Sequence, residues 1–132
     1  MKKSDNNVVS LFEQTNQGVQ KAVLTDSMKM KRGGSLSNPI VAYETWGKLS
    51  KQKDNVVVIL TGLSASSHVA SHSNNSKPGW WEGIVGPDKA IDTNKFYVIC
   101  VNSLGSCFGS TGPASINQIT GEPFRLTFPE LT

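Results

Sequence analysis

The sequence predicts an α/β fold in which an antiparallel hairpin at one edge leads into buried strands of a mostly parallel sheet. Two observations carry this expectation. Residues 55–60 (NVVVIL) and 95–101 (KFYVICV) are apolar on both faces, the mark of strands covered by helices on both sides. Each is followed by a polar, glycine-rich stretch, and in open α/β sheets ligands sit at the carboxyl ends of strands.

Taken in order, residues 1–18 are polar without a clear period and read as a flexible lead-in. The domain proper spans residues 19–132. Residues 19–30 (VQKAVLTDSMKM) alternate roughly and read as a strand, closed by the turn Lys31-Arg32-Gly33-Gly34. In residues 39–46 (PIVAYETW), Ile40, Ala42 and Glu44 alternate against Val41, Tyr43 and Thr45. This predicts a second strand, antiparallel to the first. A polar connection with Lys48, Lys51 and Lys53 leads to the first apolar strand. The segment between the two apolar strands is rich in Gly, Ser and Asn and holds Pro78-Gly79-Trp80-Trp81. After the second comes NSLGSCFGSTGP, and from residue 114 onward only loop signals are found. There is no strong amphipathic helix and no internal repeat.

The 132 residues suffice for one ordinary core. Net charge is +3, from 13 basic and 10 acidic residues, and only Arg32 and Arg125 are arginines. Scattered lysines do not make the basic stripe of a nucleic-acid surface. No apolar run is long enough to span a bilayer, and MKKSDNNVVSLF lacks the apolar core of a secretory signal. Two cysteines, Cys100 and Cys107, suit a reduced compartment, so the expected location is the cytoplasm, without membrane or nucleic-acid partners.

Four features could carry chemistry. Gly62-Leu63-Ser64-Ala65-Ser66 is one residue short of G-x-S-x-G, the turn that presents a nucleophilic serine. Such a turn runs straight into a helix, however, and SSHVASHSNNSKPG is a poor helix former. The same stretch could instead be the turn after an earlier strand, where a main-chain N–H completes an oxyanion hole, or a polar surface loop. Gly105-Ser106-Cys107-Phe108-Gly109 imitates a cysteine nucleophile, but Gly112-Pro113 stops any helix after it, which favours a structural cysteine. His68 and His72 are spaced like a metal pair, but stand in a Ser/Asn-rich loop without neighbouring carboxylates or thiols, so no metal site is expected. Trp80 and Trp81 either stack on a ligand or wedge the long loop onto the domain. No complete catalytic set can be named from pattern alone.

Four segments go further. AYETWG (42–47), LTGLSASSH (60–68), KPGWWEGIVGPDKAIDTNKFYVICVN (77–102) and LGSCFGSTGPASINQITGEPF (104–124) closely resemble the N-terminal part of the homoserine O-acetyltransferase family. This family of α/β-hydrolase-fold enzymes includes related serine O-acyltransferases. The resemblance implies acyl transfer from acyl-CoA (acetyl-CoA or succinyl-CoA), a co-substrate rather than a bound cofactor, to the side-chain hydroxyl of an amino acid. The mechanism implied is a Ser-His-Asp acyl-enzyme one, in methionine or cysteine biosynthesis and in a homodimeric full-length form. The triad would lie beyond Thr132, so that the chain is expected to be truncated before the nucleophile turn, and none of its serines matches the family nucleophile. What carries over is the backbone N–H of Leu63 as an oxyanion donor, with Gly62, Leu63, Ser64 and Ala65 lining the amino-acid pocket. The GLSA wording resembles serine-using members. The alternative is a non-catalytic remnant or partner-binding module, and either way an isolated chain of this length would expose apolar strand surface.

Overall fold

The computed structural model describes residues 18–62 and 64–131. The lead-in expected over residues 1–18 lies outside them except for Gly18, which is buried against the His72 ring. Eight strands are present: β1 (Gln20–Val23), β2 (Met28–Lys29), β3 (Ser35–Leu36), β4 (Ile40–Trp46), β5 (Val56–Leu60), β6 (Val85–Gly86), β7 (Ile91–Asp92) and β8 (Tyr97–Val101). A 3-10 turn, Arg125–Thr127, is the one helical element among the described residues.

The main sheet has the order β1-β4-β8-β5. β1 pairs antiparallel with β4, as the hairpin expectation required, and β4 pairs antiparallel with β8. β5 and β8 are parallel, joined by the long crossover between Leu60 and Tyr97. The single strand expected over residues 19–30 is instead two. β1 ends at Val23, and the polar Thr25-Asp26-Ser27 interrupts the alternation. Met28–Lys29 then turns back on Ser35–Leu36 as a separate two-stranded ribbon around the predicted Gly-Gly turn. β8 likewise begins at Tyr97 rather than Lys95, because the amides of Lys95 and Phe96 both donate to the Asp92 carbonyl and close a turn.

Register assigns each face. On one side Trp46, Val98 and Val57 form a row, and Glu44, Cys100 and Ile59 form the next. The crossover covers this side: Val69, Ala70 and Val85 complete the core with Trp46, Ile59, Val98 and Cys100. The Trp46 indole N–H donates to the carbonyls of Ala70 and Ser71, both at 3.2 Å, fastening the crossover to the sheet.

The other side departs from expectation. β5 was expected to be covered on both faces, yet Val58 is 57% exposed and Leu60 77%. The physical reason is that the crossover lies on one face only, and no described residue covers Val56, Val58 and Leu60. This is the exposed apolar strand surface expected of the chain by itself.

Candidate active-site region

A cavity of about 390 Å³ opens where β5 and β8 end, lined by Thr61, Gly62, Ala65, Ser103, Leu104 and Gly105 among others. Both glycine-rich stretches singled out in the sequence therefore meet at the carboxyl ends of two adjacent parallel strands. Of the four residues expected to form the amino-acid pocket, Gly62 and Ala65 line this cavity. Ser64 is exposed, and Leu63, the expected oxyanion donor, lies outside the described residues. No helix follows Ser64, as its sequence foretold.

The loop beyond this turn is held by a buried polar network. Glu44 is 2% exposed although charged. Its Oε1 accepts from the Ser67 hydroxyl at 2.9 Å, and its Oε2 faces His68 Nδ1 at 2.9 Å and His72 Nε2 at 2.8 Å. Asn102, the first residue after β8, accepts from the Ser67 amide at 2.6 Å. Its own amide group donates to Ser67 Oγ at 3.0 Å and to the Phe108 carbonyl at 2.9 Å. Every polar atom of Asn102 that could be orphaned by burial is thus used. This corrects the expectation that the two histidines lack a carboxylate neighbour. The carboxylate comes from β4, far away in sequence, and the three side chains have a makeup that could hold a metal ion. The signal was present: Glu44 shares its strand face with Ala42, and a charge on an apolar face calls for buried partners.

His68 is titrated upward. Burial by itself lowers its pKa, but the hydrogen bonds to Glu44 and to the Lys77 carbonyl, with the charges of Glu44 and Glu82, outweigh that and raise it above its ordinary value. Burial pushes the Cys100 thiol up to about 12, with the charge of Glu44 adding to the effect.

Cys107 is exposed and free, and both histidines are committed to Glu44, so no histidine activates it. Its loop has a structural task instead. Ser110 Oγ accepts from the Ala42 amide at 2.9 Å and donates to the Asn102 carbonyl at 2.6 Å. Thr111 Oγ1 accepts from the Ile40 amide at 2.7 Å. These hydroxyls continue the ladder of β4 past the point where β8 ends. Trp80 pins the crossover: its indole N–H donates to the Ser66 carbonyl at 2.8 Å, and its ring lies 5.1 Å from that of Trp81.

Comparison with known proteins agrees with this architecture. The chain is 56% identical over 115 residues to a protein named serine O-succinyltransferase from Xanthomonas campestris pv. campestris (strain B100), a match covering 87% of this chain and 30% of that relative. The crystal structure of homoserine O-acetyltransferase from Bacillus anthracis matches with a TM-score of 0.75 at 35% identity, over 86% of this chain and 32% of that one. Esterase E22 matches with a TM-score of 0.73 at 40% identity, over 86% and 33% respectively. No protein-family profile matches the chain.

The fold is the N-terminal part of an α/β-hydrolase fold. Within that class, the chain is similar to the N-terminal part of proteins named serine O-succinyltransferase and homoserine O-acetyltransferase. The chain spans about 30% of the length of the curated relatives it matches. No helix among the described residues is long and apolar enough to cross a membrane.

Proposed function

We propose that the chain is the N-terminal part of an acyl-CoA-dependent O-acyltransferase acting on the side-chain hydroxyl of an amino acid, with serine or homoserine as acceptor. The observation that carries this is the cavity at the ends of β5 and β8, lined by Gly62 and Ala65, in a chain 56% identical to a protein named serine O-succinyltransferase. In this reading the turn after β5 supplies part of the acceptor pocket. The backbone N–H of Leu63 steadies the developing oxyanion, and losing one such donor costs about 3–4 kcal/mol in a serine hydrolase. The nucleophile, its histidine and its acid come from beyond Thr132. The reaction belongs to the biosynthesis of sulfur-containing amino acids.

Ester hydrolysis is the second reading, favoured by the likeness to esterase E22. One assay separates the two. The product of the whole reading frame is incubated with succinyl-CoA or acetyl-CoA, with and without L-serine or L-homoserine, and thiol release is followed. Acyl transfer requires release that depends on the amino acid, together with an acylated serine outside residues 1–132. Acceptor-independent release supports hydrolysis, and an acyl group on Ser64 overturns the site assignment.

A further inference from the structure

The Glu44–His68–His72 cluster is more elaborate than a loop anchor requires, and its hydrogen bonds determine where its protons sit. His72 Nδ1 accepts from the Asn74 amide at 3.2 Å. Its ring proton is therefore on Nε2 and points at Glu44 Oε2. That leaves His72 without a lone pair facing a cation, although two histidines and a carboxylate have the composition of a three-ligand zinc site.

His68 has the opposite constraint. Its Nε2 faces the Lys77 carbonyl at 2.8 Å, which can only accept, so Nε2 carries a proton. Its Nδ1 faces Glu44 Oε2 at 2.9 Å. A neutral ring would set a lone pair against a carboxylate oxygen there. One additional proton is needed on this contact, held between Nδ1 and the carboxylate oxygen. The Asn75 side-chain amide reaches Nδ1 only at 3.4 Å, beside the shorter carboxylate contact at 2.9 Å, and the other groups around the pair do not supply the proton. Ser67 spends its hydroxyl proton on Oε1, Cys100 packs against Glu44 as a neutral thiol, and Glu82 adds only negative charge.

We propose that Glu44 and His68 share one proton that latches residues 64–72 to β4, with His72 Nε2 completing the seat as a second donor to the same carboxylate, and that loss of this proton as pH rises loosens the segment. The latch would make the placement of the turn beside the cavity depend on pH, and it does not rest on the acyl-transfer reading.

The test is a two-bond proton–nitrogen correlation spectrum of the chain with nitrogen-labelled histidines, recorded in dilute solution across pH. At pH 6 His68 is expected to show the imidazolium pattern, or both nitrogens drawn toward it by sharing, while His72 shows the Nε2–H tautomer. As pH rises, His68 is expected to change with a midpoint above 6.5, its ordinary value, and the Ser66 and Ser67 amide signals follow the same curve. Glu44→Gln lowers that midpoint by about one unit or more and uncouples the amides. Zinc chloride leaves both histidine patterns unchanged. The proposal is overturned by a single neutral tautomer of His68 at pH 6, by amide signals that ignore its titration, or by zinc shifting both rings together. The wild-type spectra decide these points even if the variant does not fold.

Discussion

Glu44, in the middle of β4, and Ser67, in the crossover that follows β5, are joined by a 2.9 Å hydrogen bond buried beneath the sheet's covered face. Ser67 also gives its amide to Asn102 and receives that residue's side-chain amide. Three non-adjacent segments are thus locked at one hydroxyl. Asn102→Ala leaves the Ser67 amide and the Phe108 carbonyl without partners. The Ser67 amide is buried, whereas Phe108 is exposed; with a cost of about 1–3 kcal/mol for a buried group left unpaired, the substitution is expected to destabilise the chain by about that amount, measured as the shift in urea midpoint. A change below about 0.5 kcal/mol would show that water reaches this network.

Stability should peak in mildly acidic solution. The pKa of Glu82 is lowered from 4.5 to about 2, chiefly by the Gly79 amide and then by the Ser71 amide and hydroxyl. Its contribution is present above 4.5 and lost as pH falls toward 2. His68 has a raised folded pKa, so its contribution is full below 6.5 and disappears as pH climbs through the folded value. Melting temperature followed from pH 3 to 9 is expected to be highest between about 4.5 and 6.5. Glu82→Gln should flatten the acidic limb and His68→Asn the alkaline one.

Gly79→Ala is expected to destabilise strongly. A Cβ there would lie 2.1 Å from the Val69 carbonyl carbon and 2.2 Å from the Ala70 amide nitrogen. Main chain cannot rotate aside as a flexible side chain would. The cost is expected to be about 3 kcal/mol or more, with the Trp81 amide bond to the Val69 carbonyl lost. Tryptophan emission, to which Trp46, Trp80 and Trp81 all contribute, should shift to the red in the folded variant.

The outer face of β5 is expected to drive self-association. Val58 and Leu60 are exposed on a strand whose second edge is unpaired among the described residues, the arrangement that templates edge pairing. Light scattering of the chain should rise with concentration in the micromolar range. Val58→Lys with Leu60→Lys should suppress it while leaving the circular dichroism spectrum unchanged. Equal scattering by both proteins would assign the association to another surface.

Much of the sheet was legible because its signals are local. The runs NVVVIL and KFYVICV, the alternation in PIVAYETW and the Gly-Gly turn each announce an element within a few residues. The split at Thr25-Asp26-Ser27 was misread because rough alternation continues across it. The exposure of Val58 and Leu60 was not visible as such, since an apolar run reports what a strand can bury and not what is present to cover it. The candidate site was legible as two glycine-rich stretches. The cluster beneath it was not, because His68 meets its carboxylate from a strand more than twenty residues earlier, and spacing along the chain does not encode that encounter. The charge at Glu44 among alternating core residues was the one local hint.

The parallel pairing of β5 with β8 has a consequence for how the chain is made. During synthesis β5 leaves the ribosome ahead of β8, its partner in the sheet among the described residues, since β8 is encoded after the whole crossover. Until β8 has emerged, Val56–Leu60 lacks the strand it pairs with. Trp46, already presented on β4, is the first core anchor available to catch Ala70 and Ser71 as they appear. Non-local parallel closure of this kind is slow, so the nascent polypeptide passes through a stage in which its most apolar strand is still unpaired and open to edge association.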